Sequence, residues 1–170
     1  MPTTPSPKIL LIVDLQKGFI KTTELERLSK RIVELSQSDQ FDFVIATRFI
    51  NSPKSPFVSI LNWRKMTSSP DTDLVDGLRA DIVVDKHGYS CCNEEFDAAL
   101  DCITLGQKIP EIYICGLDTD CCVLASAVAL FERQIRPIVL GQYCGSCGGE
   151  EQHQAGLKCL RRIIGRDNVR

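Results

Sequence analysis

Hydrophobic residues are concentrated in five short, continuous runs along the chain. The runs are ILLIV (residues 9–13), FVIAT (43–47), DIVVD (81–85), EIYIC (111–115) and PIVL (137–140). Continuous apolar stretches of this length are typical of strands that are buried on both faces of a sheet. The pattern therefore predicts five buried strands.

Most stretches between these runs have the spacing of amphipathic helices. One helix is predicted over residues 22–37, where leucines and one isoleucine recur on a single face. Others are predicted around Phe96 to Ile103, over residues 120–133 and over about 150–164. Strands that alternate with helices indicate a mainly parallel sheet with helices on both faces. We therefore predict an α/β fold, a Rossmann-like three-layer α/β/α sandwich.

Residues 51–80 do not follow this alternation. They are rich in Ser, Pro and Asp, and only the stretch FVSILNW indicates local order. A long irregular connection inside a compact domain is often a lid or a pocket wall, and both interpretations stay open. A chain of 170 residues predicts one domain over residues 1–170, with the polar, proline-rich residues 1–7 as a flexible tail.

Composition and charge exclude several classes of protein. The chain is 44% hydrophobic and 25% charged, as is usual for a soluble globular domain. A net charge of -2 with scattered lysines and arginines does not favour nucleic-acid binding. No apolar run is long enough for a secretory signal or a membrane span, so nine cysteines predict free thiols in the cytoplasm.

Residues with candidate chemistry follow three of the predicted strands. Asp14 follows the first run, Lys86 the third, and the segment GLDTDCCVLASA, with Cys121 and Cys122, the fourth. Ligands bind at the carboxyl ends of parallel strands, so these side chains are expected to converge. A cation and a helix N-terminus lower the pKa of a thiol from about 8.5, and a nearby carboxylate can accept its proton. Each residue also has a structural interpretation, and spacing alone does not choose between the cysteines.

Three segments resemble the signature segments of the isochorismatase-like cysteine hydrolases. They are VDLQKGF (13–19), VDKHGYS (84–90) and GLDTDCCVLASA (116–127), in the order of the family. That family includes nicotinamidases and N-carbamoyl amide hydrolases, and the resemblance extends over nearly the whole chain. It implies that Asp14, Lys86 and Cys122 cleave the C–N bond of a small amide or carbamoyl compound through a thioester, without a cofactor.

The resemblance also separates the two adjacent cysteines. Aligning Thr119, Asp120 and Val123 with the third segment places Cys122 at the nucleophile and Cys121 at a variable position. The match implies a cis peptide before Asp118, and an oxyanion hole formed by the backbone N–H groups of Asp118 and Cys122. It further implies a homo-oligomer, either a dimer or a tetramer.

The chain departs from the nicotinamidases at their metal site. That site consists of an Asp and two His after the second strand, and the corresponding residues here are Phe49, Asn51 and Lys54. We therefore expect no catalytic metal and a substrate other than nicotinamide. The two histidines of the chain lie elsewhere: His87 is expected to point away from the site, and His153 to have a structural role.

Four aromatic residues and one cysteine motif complete the set of candidates. Phe19, Phe57, Trp63 and Tyr89 are predicted to line a substrate pocket, because they follow strand ends or lie in residues 51–80. Cys144 and Cys147 form a CxxC motif in a glycine-rich turn that is expected near the pocket rim. The motif also leaves open a redox or metal-responsive protein on the same fold. A further alternative is a binding or oligomeric family member with little activity.

Overall fold

The chain is described by a computed structural model that covers residues 6–107, 109 and 111–170. It has five strands, each at a predicted apolar run: β1 (Ile9–Val13), β2 (Phe43–Phe49), β3 (Ile82–Lys86), β4 (Glu111–Leu117) and β5 (Arg136–Gly145). Several strands extend beyond their apolar run at the carboxyl end, so Lys86 is the last residue of β3. Most of the predicted flexible tail, residues 1–5, lies outside the described residues.

Five α-helices accompany the strands, and the four predicted helices are confirmed. They are α1 (Thr23–Gln37), α2 (Pro56–Ser59), α3 (Glu94–Thr104), α4 (Leu124–Glu132) and α5 (Glu150–Ile163). A π-helical turn, Thr119–Val123, precedes α4, and a 3₁₀ turn, Arg166–Asn168, follows α5. The Thr22 side chain accepts the N–H of Leu25 at 3.2 Å and so caps α1. No helix in the described part of the chain is long and apolar enough to span a membrane.

The five strands form one sheet in the order β3-β2-β1-β4-β5, and every pairing is parallel. The predicted α/β fold with a parallel sheet and flanking helices is therefore confirmed. All five residues of the central strand β1 are fully buried. The chain adds β2 and β3 on one side of β1 and then β4 and β5 on the other. The carboxyl ends of β1 and β4 thus meet where the strand order reverses, which is where such sheets bind ligands.

Apart from α2, residues 51–80 are irregular, but they are fixed to the loop after β1. The N–H groups of Lys17 and Gly18 donate to the carbonyls of Asp73 and Asp71, both at 2.9 Å. The buried Gln16 side chain accepts the N–H of Phe49 at 2.8 Å and donates to the carbonyl of the same residue at 2.9 Å. This segment also contributes a second, smaller hydrophobic cluster beside the carboxyl end of β2. It is a packed wall at the edge of the sheet where the candidate residues lie.

Two glycines allow backbone segments to approach closely at this edge. Gly116 has a φ of 119°, and a Cβ on it would lie 2.1 Å from the carbonyl oxygen of Val13. Gly156 of α5 packs against the π-helical turn, where a Cβ would lie 2.7 Å from the backbone nitrogen of Asp120. The first contact joins the ends of β1 and β4, and the second holds the turn that carries Cys122.

We expect Gly156→Ala to destabilise the protein although alanine favours helices. An exposed helical Gly→Ala change stabilises by about 1 kcal/mol, but here the added methyl meets backbone that has no room to move. The expected loss in the free energy of unfolding is about 1–3 kcal/mol, measured by urea denaturation. Gly88→Ala is the control, because nothing lies within 4 Å of its added Cβ. A Gly156→Ala protein as stable as the wild type would contradict this packing.

Candidate active site

Asp14, Lys86 and Cys122 meet at the carboxyl edge of the sheet. The Lys86 Nζ lies 2.8 Å from the Asp14 Oδ2 and 3.4 Å from the Cys122 Sγ. Asp14 and Lys86 are 0% and 1% exposed, so the charges of this pair are removed from water. The three residues that the family resemblance selected therefore form one cluster. Cys121 lines the same pocket, but no contact joins its thiol to Lys86 among the described residues.

Lys86 needs its full length to reach the other two residues. Strand β2 lies between β3 and β1, so the Lys86 backbone is about 10 Å from that of β1. The ammonium lies 5.2 Å from the centre of the Phe49 ring, at the end of β2. An aromatic ring stabilises a cation at this distance. Phe49 therefore supports the part of Lys86 that crosses β2.

The Lys86 ammonium has more acceptor neighbours than hydrogen atoms. It donates to the carbonyls of Gly88 at 2.8 Å and Tyr89 at 3.0 Å, and to the Cys122 Sγ. An ammonium has three hydrogens, so the Asp14 Oδ2 and the Cys122 Sγ share the one that the carbonyls leave. The Asp14 Oδ2 has no other hydrogen-bond partner within the described residues. It keeps a free lone pair beside the thiol.

The other oxygen of Asp14 is held by Thr47 on β2. The Thr47 Oγ1 donates to the Asp14 Oδ1 at 2.6 Å and accepts the Asp14 N–H at 3.0 Å. Asp14 has a φ of 49°, in the left-handed region that Asp adopts more readily than most residues. Sequence reasoning missed Thr47, although it ends the second apolar run, directly beside the first strand. Its two bonds fix the direction in which the carboxylate points.

The electrostatics of the cluster favour a neutral thiol in the free site. Burial raises the pKa of the Cys122 thiol, and the Asp14 carboxylate raises it further, while Lys86 lowers it only in part. Lys86 lowers the pKa of Cys122 as expected, but burial and Asp14 outweigh it, so that pKa is well above its ordinary value. Burial alone lowers the pKa of Lys86, but Asp14 and Cys122 raise it above its ordinary value on balance. The resting cluster is a thiol beside a carboxylate and an ammonium.

A pocket with a cavity volume of about 370 Å³ opens above Cys122. The four predicted aromatics, Phe19, Phe57, Trp63 and Tyr89, all line it. The Phe19 and Trp63 rings are nearly parallel, at 6° to each other, with centroids 6.4 Å apart. Cys147 lines the pocket as well, and sequence reasoning missed further lining residues, namely Phe49, Leu61, Lys21 and Lys65. Most of these lie in irregular segments, where no periodicity indicates which side chain faces inward.

The residues at the nicotinamidase metal positions do not fit a metal. Phe49 has no donor atom, and Lys54 is an exposed cation. Asn51 is buried, and its Nδ2 donates to the carbonyls of Trp63 and Lys65, both at 3.0 Å. Its Oδ1 accepts from the Ser55 hydroxyl at 2.5 Å. Asn51 therefore holds the pocket wall through hydrogen bonds, with no donor set for a cation at these three positions.

Both histidines bind backbone or side-chain groups outside the reactive cluster, as expected. The His87 Nδ1 lies 2.8 Å from the carbonyl oxygen of Ile50, so the ring points away from Cys122. The Thr119 hydroxyl donates to the carbonyl of Gly145 at 3.0 Å and lies 2.7 Å from the His153 Nδ1. Since that hydroxyl has one hydrogen, His153 is the donor of this second bond. His153 thereby fastens α5 to the π-helical turn.

The two thiols of the CxxC motif lie in different surroundings. Cys144 is buried, its Sγ donates to the carbonyl of Leu140 at 3.3 Å, and burial raises its pKa to about 12. Cys147 is exposed at the pocket rim, where its N–H donates to the Asp118 Oδ1 at 2.9 Å. The Sγ of Cys147 approaches the carbonyl of Phe19 instead of Cys144. The geometry thus gives the redox interpretation of this motif no support.

Asp118, Asp120 and Cys121 have potential metal-ligand atoms within 4.8 Å of one another. Both carboxylates already accept hydrogen bonds from the loop after β5. The Asp120 Oδ1 accepts from the Ser146 hydroxyl at 2.7 Å, and the Asp118 Oδ1 accepts from the backbone of Cys147. These bonds assign the carboxylates to fastening that loop. The implied cis peptide between Leu117 and Asp118 is present.

The fold and the site together define an α/β protein with a buried Asp, Lys and Cys cluster below an aromatic pocket. A sequence profile of the Isochorismatase domain matches residues 8–166. The chain therefore belongs to the isochorismatase family. No curated protein sequence is significantly similar to it.

Solved structures of the same fold cover nearly all of the chain. An isochorismatase-like hydrolase from Alkaliphilus metalliredigens is 17% identical with a TM-score of 0.77, covering 96% of this chain and 94% of its own. N-carbamoylsarcosine amidase from Thermoplasma acidophilum is 22% identical with a TM-score of 0.73, over 94% and 93%. A nicotinamidase from Bacillus subtilis is 18% identical with a TM-score of 0.77, over 96% and 98%. At these identities the likeness shows the fold.

We expect Asn51→Ala to loosen the pocket wall at Trp63. The change leaves the carbonyls of Trp63 and Lys65 without their amide donor and the Ser55 hydroxyl hydrogen without its acceptor, at a cost of about 1–3 kcal/mol. Trp63 is the only tryptophan of the chain, so its fluorescence emission should shift to longer wavelength and its quenching by acrylamide should increase. A chelator should leave the wild-type emission unchanged, since protein hydrogen bonds hold this wall.

Ser52→Ala is the control for this change. Ser52 lies in the same turn, but its hydroxyl makes only an exposed contact of 3.4 Å with the Lys54 N–H. Its emission should match the wild type. An Asn51→Ala protein with wild-type emission and quenching, or a wild type whose emission responds to a chelator, would refute the assignment of Asn51 as the residue that holds the wall.

We expect Asp14→Asn to make Cys122 more reactive toward iodoacetamide at neutral pH. The Asp14 charge raises the pKa of the Cys122 thiol, so its removal lowers that pKa while the Lys86 cation remains nearby. Each unit of decrease raises the thiolate fraction about tenfold at a pH below the pKa. Alkylation rates at Cys122, followed by peptide mass mapping across pH, measure the effect. Asp76→Asn, which removes an exposed carboxylate, should leave the rate unchanged, and a slower reaction in Asp14→Asn would contradict the assignment.

Proposed function

We propose that the protein is a thiol-dependent hydrolase that cleaves the C–N bond of a small amide or carbamoyl compound. The observation that carries the proposal is the cluster in which the Lys86 ammonium contacts both Asp14 and Cys122 below a pocket. It is supported by the family and by two relatives of the same fold, an amidase and a nicotinamidase. No metal and no cofactor take part in the proposed reaction.

The reaction begins with transfer of the Cys122 proton to Asp14. Because the free thiol is neutral, deprotonation accompanies attack on the substrate instead of preceding it. The free lone pair of the Asp14 Oδ2 is the acceptor, and Thr47 keeps this carboxylate oriented through its other oxygen. Lys86 stabilises the negative charge that develops on the sulfur. Cys122 then bonds to the carbonyl carbon.

The developing oxyanion is assigned to two backbone N–H groups. Asp118 and Cys122 both line the pocket. Asp118 directly precedes the π-helical turn, and Cys122 lies within it. Donors that are already fixed before the reaction stabilise an oxyanion without reorganisation. The hydrogen bond from the Cys147 N–H to the Asp118 side chain keeps this segment in place. Asp118 thus acts through its main chain, and its carboxylate has a structural role.

Collapse of the tetrahedral intermediate expels the amine or ammonia. Asp14, now protonated, donates its proton to the leaving nitrogen, which converts a poor leaving group into a neutral one. The acyl or carbamoyl group stays on Cys122 as a thioester or thiocarbamate. Asp14 then takes a proton from water, which attacks the carbonyl. As the acid product leaves, Asp14 returns this proton to the sulfur and restores the Cys122 thiol and its own carboxylate. One carboxylate thus acts twice as a base and twice as an acid.

The pocket favours a substrate with a flat, apolar group beside its carbonyl. Phe19, Phe57 and Trp63 supply aromatic walls. The described residues that line the pocket include no arginine that could bind a substrate carboxylate with two hydrogen bonds. The lining lysines, Lys21 and Lys65, are exposed at its opening. The same proposal retains the sequence-based expectations of a single domain, a cytoplasmic location and a homo-oligomer, either a dimer or a tetramer.

Cys122→Ser should abolish turnover, whereas Cys121→Ser should retain it. Loss of the nucleophile is expected to lower kcat/KM by roughly 10³-fold or more. Cys121 lines the pocket, but burial and nearby acids raise its pKa to about 11, and it has no base assigned to it. Ammonia release from a panel of aromatic amides, ureides and carbamoyl acids measures the effect. Equal turnover by Cys122→Ser and the wild type would rule out the proposed mechanism.

A further inference from the structure

A second pair of thiols lies next to the Lys86 loop and has no part in the proposed reaction. Cys91 and Cys92 are adjacent in sequence, just before Asn93, the residue that caps α3. Their Sγ atoms are 3.9 Å apart, within hydrogen-bonding distance for sulfur. Neither residue lines the pocket above Cys122. The two thiols therefore form a pair outside the pocket that contains the reactive cluster.

The two thiols differ in burial and in charge environment. Cys91 is fully buried, and its N–H donates to the Ser126 hydroxyl on α4 at 3.0 Å. Cys92 is half-buried and therefore within reach of small solutes. The hydrogen bond from Cys91 lowers the pKa of Cys92 to about 7, although burial opposes this, and Arg133 lowers it further. Asp97, which pairs with Arg133, acts in the opposite sense.

The buried partner is a thiol that shares its proton with its neighbour. The hydrogen bond to Cys92 raises the pKa of Cys91 well above its ordinary value, and burial raises it further. The pair thus has the arrangement of a nucleophilic thiolate with a second thiol held beside it. Thiolate character and access to solvent are the two properties that make a cysteine sensitive to oxidants.

We propose that Cys91 and Cys92 form a peroxide-sensitive modification site that closes to a disulfide between adjacent residues. The Cys92 thiolate attacks a peroxide oxygen, the O–O bond breaks, and Cys92 becomes a sulfenic acid while the peroxide leaves as an alcohol or water. The Cys91 sulfur then attacks the Cys92 sulfur, and the hydroxyl group departs as water with the Cys91 proton. The peroxide is reduced by two electrons and the two thiols are oxidised by two electrons.

Ring closure has a mechanical consequence for the Lys86 loop. The sulfur atoms must approach from 3.9 Å to about 2.05 Å, which requires the backbone between the two cysteines to turn. The preceding residues Gly88 and Tyr89 supply the two carbonyls that bind the Lys86 Nζ. Because the hydrogen bond to Ser126 fixes the Cys91 N–H to α4, we expect the backbone change to be taken up by the loop that contains Gly88 and Tyr89. Oxidation is expected to displace Lys86 and lower turnover, an effect that rests on the proposed function.

The modification itself is tested without any substrate. The full-length Cys122→Ser protein, which lacks the proposed nucleophile, is treated with hydrogen peroxide at neutral pH and mapped by mass spectrometry. The peptide that contains both cysteines should lose two hydrogen atoms and regain them with dithiothreitol. Adding Cys91→Ser should stop the reaction at a Cys92 sulfenic acid that dimedone traps. Adding Cys92→Ser should leave Cys91 reduced.

The exposed cysteines of the helices are internal controls. Cys102 and Cys159 are more accessible than Cys92, but they are not adjacent to a second thiol. Both should react with peroxide more slowly than Cys92. The proposal fails if Cys102 or Cys159 is oxidised first, if Cys92 bonds to a cysteine other than Cys91, or if the peptide with both cysteines stays reduced.

The effect on turnover is measured separately in proteins that retain Cys122. Peroxide should inactivate both the wild type and Cys92→Ser through Cys122, but only the wild type should show an additional, faster phase that dithiothreitol reverses. Cys92→Ala is a second variant in case the serine protein is unstable. A disulfide that forms without this phase would refute the link to Lys86 while leaving the modification site intact. A protein without turnover on the amide panel would count against the proposed function and not against the disulfide.

Discussion

The buried ion pair between Lys86 and Asp14 is the interaction on which the rest of the site depends. Removing two charges from water costs several kcal/mol per ion, and only close pairing with further hydrogen bonds offsets that cost. Here the Lys86 Nζ has two backbone carbonyls as additional acceptors, and Asp14 has the Thr47 hydroxyl as a donor. Each partner therefore has a fixed direction. The loop after β3 and the end of β2 are shaped around this pair.

The same pair contributes to the raised pKa of the Cys122 thiol, since Asp14 raises it and Lys86 lowers it only in part. A thiolate at Cys122 would add a second negative charge beside Asp14, with one cation to balance both, in a site that excludes water. The Asp14 Oδ2 has no hydrogen-bond partner other than the Lys86 ammonium within the described residues, so a lone pair remains available beside the sulfur. In the proposed reaction, negative charge moves from the Asp14 carboxylate to the sulfur and on to the substrate, and Lys86 lies near both Asp14 and Cys122.

Much of this arrangement is readable from the sequence, because it follows from where strands end. Continuous apolar runs predicted the strands, and parallel strands place their carboxyl ends at one edge, so the convergence of Asp14, Lys86 and the cysteine pair was predictable. The choice of Cys122 over Cys121 required the family resemblance. Thr47 and Asn51 were not identified, since their roles consist of hydrogen bonds to residues that are distant in sequence. The direction of the Cys122 pKa was wrong, because burial and the closeness of Asp14 outweigh a neighbouring lysine.

Phe49 and Asn51 occupy positions that are metal ligands in the nicotinamidases, and Phe49 links the roles that the two residues have here. A phenyl ring at this position cannot bind a cation as a ligand, but its face lies 5.2 Å from the Lys86 ammonium as that side chain crosses β2. The ring also packs against Phe57 and Trp63, so one side chain both supports the lysine and forms the pocket floor. The wall above it then has to be fixed by other means, and the buried Asn51 amide provides them. Replacing Phe49 by a metal-ligating residue would therefore remove the support of Lys86 and the packing of the pocket wall at the same time. The aromatic ring at position 49 and the amide at position 51 thus depend on each other.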